Sequence, residues 1–223
     1  MTSRAFQERL FKRARKAGCS VGPALSGQLE QYFSLLARWN AKINLTAFNL
    51  LEPQDEAFDR LLIEPLVAAQ HLPRASASVI DIGSGSGSPA IPLRLAAPDV
   101  RLTMVEAKTR KAVFLLEALR HLAIANATVE TARFEQLLTR PELHEAFDVM
   151  TIRAVRVESS TLVTLQALLK PGGHLFWFQG AGREIKPDLL VFPLVLSRVV
   201  SLVESSGSRL VILNKQSPSH RAT

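Results

Sequence analysis

The sequence predicts an α/β fold, a seven-stranded, mostly parallel sheet with helices on both faces, preceded by a helical extension. Three observations carry that prediction. The stretch from Val79 to Pro98, VIDIGSGSGSPAIPLRLAAP, is a short apolar run with an acid in it, then a glycine turn, then a helical pattern opened by Pro89. From Ser78 onward, strand and helix signals alternate nearly to the end, as βα units do when they bury a parallel sheet. The residues before that show only the three-and-four rhythm of helices and no glycine loop.

Taken in order, Ser3 to Ala17 places Phe6, Leu10 and Ala14 on one side and stops at Gly18. Ser26 is read as the cap of a second helix through Leu29, Tyr32, Phe33, Leu36 and Trp39, which Asn40 to Thr46 breaks. A third helix is expected from about Pro53 to His71, kinked or split at Pro65 because proline offers no N–H. Strands are expected at Val79–Ile82, Arg101–Val105, Thr128–Thr131, Phe147–Ile152, His174–Phe178, Leu194–Val203 and Arg209–Leu213. Helices are expected from Pro89, Thr109, Phe134, Val157 and Arg183, and Lys170 to Gly173 reads as a hairpin-like turn into the fifth strand. The expected organisation is a helical extension over 1–75, a core over 76–214 and a flexible tail over 215–223.

Gly83, Gly85 and Gly87 supply the chemistry of the turn, because a tight strand-to-helix connection needs φ values that a Cβ penalises. The pattern is D-x-G-x-G-x-G, starting at Asp81, and it departs from the G-x-G-x-x-G of dinucleotide sites, whose third glycine would stand at Ser88. A carboxylate repels a pyrophosphate and attracts the cationic ammonium and sulfonium of S-adenosylmethionine. Glu106 follows at the tip of the second strand, where folds of this kind hold a ribose by its two hydroxyls. Taken singly, the loop is compatible with an ordinary tight turn and Glu106 with a solvated carboxylate. Together they point to an adenosyl cofactor.

A single cysteine, Cys19, excludes a disulfide framework, and no apolar run is long enough to span a membrane, so a soluble, cytoplasmic protein is expected. The formal charge of +7 is concentrated at the ends. Arg4, Arg9, Lys12, Arg13, Arg15 and Lys16 face only Glu8 in the first twenty residues, and Arg209, Lys215 and Arg221 stand alone at the other end. Such ends suit a polyanion such as RNA, a solvated face or an organelle presequence. The five histidines have no ligand spacing, and no metal is expected.

Ligands of open α/β sheets bind beyond the carboxyl ends of the strands, so the strand tips are the places to inspect. At the third tip, Phe134 is placed to lie on an adenine ring with Glu135 beside it, or to pack into the start of its helix. At the fourth, Arg153, followed by Ala154 and Val155, stands nearest the transferable methyl. Neither the Asn/Asp-Pro-Pro-aromatic run of amine methyltransferases nor the nucleophilic cysteine of pyrimidine enzymes is present. Guanine N7 needs neither, since its lone pair is free and alignment suffices. Arg153 is then a candidate catalytic residue that orients the base, or the partner of a phosphate or cofactor carboxylate.

With these residues in place the chain resembles the bacterial small-subunit (16S) ribosomal RNA guanine-N7 methyltransferases, the GidB/RsmG family. The resemblance runs from about Leu35 to Gly180 and is carried by Trp39-Asn40, Ile43-Asn44-Leu45-Thr46, Asp81 to Pro89, Ile91 to Leu93, Lys111, Phe114-Leu115, Arg133, Glu135 and Arg153-Ala154. It implies a class I, Rossmann-like methyltransferase fold with a helical N-terminal extension. It also implies S-adenosylmethionine as donor and ribosomal RNA or the small subunit as partner; a monomer is expected. By the same resemblance, cofactor contacts fall on Gly83, Ser88, Phe134, Glu135 and Arg153. A non-catalytic or retargeted RNA-binding relative is the alternative. Departures from the family pattern fall at Leu61, Glu64, Pro65, Ser88, Ala90 and Gln179.

Overall fold

The computed structural model describes residues 1–73, 76–153, 158–182 and 192–217. Seven strands form one sheet in the order β3-β2-β1-β4-β5-β7-β6. They are β1 (Ser78–Ile82), β2 (Arg101–Val105), β3 (Ala127–Glu130), β4 (Phe147–Arg153), β5 (Leu169–Gln179), β6 (Leu194–Val203) and β7 (Ser208–Lys215). β1 pairs in parallel with β2 and β4, β2 with β3, and β4 with β5, whereas β7 runs antiparallel between β5 and β6. The order therefore reverses between β1 and β4, and a cleft is expected beyond that point.

Period-two alternation sorts the strand residues onto two faces. Val79, Phe176, Phe178, Leu210 and Ile212 join one apolar cluster, and Ile80, Ile82, Leu175, Trp177, Val211 and Leu213 join the other. The first face is covered by α1 (Ser3–Lys16), α2 (Pro23–Ile43), α4 (Glu64–Ala69), α5 (Ala90–Ala96) and α6 (Thr109–His121), whose apolar stripes belong to the same cluster. The N-terminal helices thus share a core with the sheet. Phe6, Phe33 and Phe58 meet there with ring centroids 5.2–5.6 Å apart.

Several local expectations change. α2 starts at Pro23, with Gly22 as its cap, because proline suits the first helical position; Ser26 is instead buried in the first turn. The helix also runs on past Asn40 to Ile43 and ends at Asn44 in the left-handed region, φ 51°. The third helix divides into α3 (Asp55–Phe58), a π turn (Asp59–Ile63) and α4, so the irregularity lies before Pro65, where the missing N–H is felt. Lys170 to Gly173 does not form a hairpin-like turn. It bulges within β5, where Leu169 pairs with Phe147 and His174 with Val149.

α7 (Phe134–Leu137) is a single turn, and α8 spans Ser159–Leu165. Lys215, assigned to the tail by sequence, closes β7, its buried Nζ donating to the carbonyls of Gln166 and Leu169 and pairing with Glu145. The expected helix from Arg183, the start at Val157, the Ala154-Val155 tip and the tail from Pro218 lie outside the described residues.

Candidate active site

The turn after β1 is built as the glycines require. Gly83, Gly85 and Gly87 have φ of 75°, 50° and 83°, a region that L side chains avoid. At Gly87 a Cβ would also stand 2.6 Å from Ile91 Cδ1. The amides of Gly83 and Ser84 donate to the Val105 carbonyl at 2.9 and 3.0 Å, which moors the loop to the tip of β2. From the other side, the fully buried Tyr32 of α2 donates its hydroxyl to the Ser86 carbonyl at 2.8 Å.

Glu106 is the third mooring. Its Oε2 accepts the Gly85 N–H at 2.9 Å and its Oε1 the Lys108 N–H at 2.8 Å. Sequence reasoning gave both oxygens to a ribose, and the loop amides were the missed partners. Each carboxylate oxygen can accept a further hydrogen bond, and Glu106 lines the larger cavity of the site.

Two cavities meet at Gly83. The larger, about 470 Å³, is lined by the glycine loop, Ser88, Glu106, Lys108, Lys111 and Arg153. The smaller, about 210 Å³, is lined by Ile82, Ala132, Phe134 and Glu135. Phe134 is half-buried, packing on the core and lining the cavity at once. A separate cavity of about 520 Å³ surrounds His144, Glu145 and Lys215, where β5 begins and β7 ends.

Asp81 lies beneath the loop, 1% exposed. Its Oδ1 accepts from the Thr151 hydroxyl, while its Oδ2 is buried without a partner among the described residues. Burial pushes this carboxyl above the usual carboxylate range, opposed by the nearby Thr151 and Ser84 hydroxyls and the Arg153 charge; the Ser84 hydroxyl itself donates to the Asp81 carbonyl at 3.1 Å.

Arg153 is committed to protein partners. Its Nη1 donates to the Arg60 carbonyl and, at 3.1 Å, to Ser88 Oγ; its Nη2 meets Glu64 Oε2 at 2.9 Å. The guanidinium also lies over the Phe178 ring, 4.3 Å from its centroid. Burial lowers its pKa to about 10, with the Glu64 carboxylate opposing that shift. Its Nε is buried without a partner among the described residues. Ser88 is engaged as well, donating to the Leu61 carbonyl at 2.9 Å. Leu61, Glu64, Pro65 and Ser88, four of the positions at which the sequence suggests departures from the resembled family, therefore fall in one neighbourhood, which sequence spacing did not reveal.

The other sequence motifs acquire physical roles. Asn40 Oδ1 accepts the amides of Leu45 and Thr46 at 2.7 and 2.8 Å, shaping the turn whose Leu45, Thr46 and Phe48 wall the larger cavity. Trp39 meets Phe114 of α6 edge-on at 5.8 Å. Gln179 Oε1 accepts from Arg209 Nε at 3.0 Å, so a positive charge stands beside that position from the paired strand. Among the described residues no cluster of His, Cys, Asp or Glu is arranged to hold a metal ion, and no helix is long and apolar enough to cross a membrane.

The basic N-terminus divides in two. Arg13 is buried and pairs with Asp59, through Nε at 2.7 Å and through Nη2, and with Asp55 at 3.2 Å. Arg9 pairs with Asp55 at 2.8 Å, and Arg4 with Glu8 at 2.9 Å. Lys12, Arg15 and Lys16 are exposed, with no ion pair among the described residues.

Comparison with known proteins agrees with this architecture. The chain is 37% identical over 161 residues to the ribosomal RNA small subunit methyltransferase G of Xanthomonas euvesicatoria, covering 72% of each chain. It is 35% identical over 168 residues to that of Stenotrophomonas maltophilia, covering 74% of this chain and 73% of the relative. Among solved structures, a SAM-dependent methyltransferase from Aquifex aeolicus superposes with a TM-score of 0.55 at 13% identity, over 73% of this chain and 94% of that one. A mutant 16S rRNA (adenine(1408)-N(1))-methyltransferase from Catenulisporales acidiphilia gives 0.53 at 17% identity, over 68% and 89%. These two likenesses concern the fold. The family model for GidB, described as rRNA small subunit methyltransferase G, matches residues 26–208, and the chain belongs to that family.

Proposed function

We propose that this chain transfers a methyl group from S-adenosylmethionine to N7 of a guanine in small-subunit ribosomal RNA, acting as a monomer in the cytoplasm. The observation that carries the cofactor reading is the buried Oδ2 of Asp81, without a partner among the described residues, under a glycine loop at the reversal point of the sheet. A buried carboxylate without a partner is costly, and a cationic ligand group relieves that cost. The residues fit an α-amino-acid group on a nucleoside. Asp81 favours the ammonium, the Arg153 charge favours the carboxylate, Glu106 accepts from the ribose, and Phe134 with Glu135 borders the cavity offered to the adenine. S-adenosylmethionine, when bound, supplies a methyl activated on a sulfonium.

The protein's part is then alignment. N7 of guanine loses no proton, and Glu64, the acid beside Arg153, is paired through both oxygens and is not a free base. Lys108 and Lys111 line the cavity and suit RNA phosphates, as do the unpaired Lys12, Arg15 and Lys16. Labelled methyl from S-adenosylmethionine is expected to enter the RNA of undermethylated small subunits. At saturating cofactor the single-turnover rate is expected to be flat from about pH 6 to 9. Failure to label, with binding intact, favours the non-catalytic relative.

The Asp81 carboxyl gives a prediction with a definite sign. A cation favours its ionised form, so cofactor binding releases a proton wherever the free protein still carries one. Affinity therefore falls as pH drops through the raised pKa and is level above it. Asp81→Asn is expected to weaken binding at pH 8 by about ten- to a hundredfold and to abolish the pH dependence. Calorimetry between pH 5 and 8 tests this, and an unchanged pH profile in the variant removes Asp81 from the cofactor site.

A further inference from the structure

We propose that Glu64 and Pro65 are positioning residues of the methyl-transfer site, holding Arg153 and Ser88 through the Glu64 carboxylate and through the Arg60 and Leu61 carbonyls, the two that an N–H at position 65 would otherwise compete for. This rests on the cofactor reading above. In the π turn over Asp59–Ile63, the Glu64 N–H reaches back to the Asp59 carbonyl. The next N–H, at position 65, would go to Arg60 in a π turn or to Leu61 in an α turn. Proline has none. The same two carbonyls are where the site docks. Ser88 Oγ donates to Leu61 at 2.9 Å, Arg153 Nη1 donates to Arg60, and Glu64, fully buried, takes Arg153 Nη2 at 2.9 Å.

Ser88 closes the glycine loop after β1, and Arg153 ends β4. Both flanks of the cleft at the reversal point are thus fastened to one helical irregularity in the N-terminal segment. Moreover, the two fastenings are linked, since Arg153 Nη1 also donates to Ser88 Oγ at 3.1 Å. π segments recur at functional sites because they release backbone groups from the helix, and here the released groups are occupied by residues that wall the cavity.

Positioning and mere structural support differ in sign for Pro65→Ala. Removing a proline from within a continuous helical run favours the helix, so the variant is expected to melt at or above the wild-type temperature. Its new N–H competes for the Leu61 and Arg60 carbonyls, so affinity for S-adenosylhomocysteine is expected to fall about tenfold, the worth of about one hydrogen bond. KM for S-adenosylmethionine should rise while kcat at saturation changes less. Ser88→Ala should weaken binding in the Pro65 protein and add nothing in the Pro65→Ala protein. Glu64→Gln, which keeps an acceptor for Arg153, should recover part of the loss shown by Glu64→Ala.

Urea unfolding of the ligand-free single and double variants gives a readout independent of the cofactor. Ser88→Ala is expected to lower the urea midpoint in the Pro65 background and to leave it unmoved in the Pro65→Ala background. Additive effects in that cycle overturn the proposal, as does a Pro65→Ala protein that loses stability and affinity in parallel or keeps full affinity. If the wild type binds neither cofactor nor product, the cofactor reading fails and the positioning role fails with it. The coupling through the two carbonyls is then still decided by the ligand-free cycle.

Discussion

Arg13→Ala is expected to lower folding stability by about 3–5 kcal/mol, because it strands the buried Asp59 carboxylate. For a chain of this length that is a fall in melting temperature of roughly 6–20 °C. Arg13 belongs to a short run of basic residues, and its neighbours behave differently. Lys12→Gln, Arg15→Gln and Lys16→Gln together should leave the melting temperature nearly unchanged, since these side chains are exposed and without ion pairs among the described residues. They should instead flatten the salt dependence of RNA binding, by about 0.7–0.9 in slope for each phosphate that is no longer neutralised. A stable Arg13→Ala protein contradicts the ion-pair account, and an unchanged slope in the triple variant makes those residues a solvated face.

Glu106→Ala is expected to weaken S-adenosylhomocysteine binding by at least about a hundredfold, from missing ribose acceptors and a loosened glycine loop. The informative variant is Glu106→Gln. Both carboxylate oxygens accept backbone N–H groups, from Gly85 and Lys108, so a carboxamide would turn a donor toward one of them. The glutamine variant should therefore be nearly as impaired as the alanine variant. A residue that only accepted from a ribose would tolerate glutamine with a mild loss. Calorimetry on folded variants decides between the two, and a mild Glu106→Gln phenotype contradicts the mooring role.

Strands β1, β2 and β4 were legible to within a residue or so, because each is an apolar run bounded by polar or glycine-rich turns. The glycine loop was legible because its positive φ values leave a compositional trace at Gly83, Gly85 and Gly87. Partnerships across long separations leave no such trace. Arg13 finds Asp59 46 residues away, and Arg153 finds Glu64 89 residues away. Only the fold brings them together, which is why the sequence places Arg13 in a basic end suited to a polyanion, a solvated face or a presequence, and leaves Arg153 to orient the base or to pair with a phosphate or cofactor carboxylate. The π turn was hidden for a related reason: Pro65 announces a disturbance, but where the freed carbonyls turn depends on Ser88 and Arg153.

The position of the transferred methyl tests the central claim most directly. Small subunits lacking the modification are methylated with the protein and S-adenosylmethionine, and their RNA is reduced with borohydride and treated with aniline, which cuts the chain at N7-methylguanosine. The account predicts cofactor-dependent scission at a guanine, absent when Asp81→Asn is assayed at the same low cofactor concentration. Methyl incorporation without scission, or label on an exocyclic amine or a different base, would contradict it.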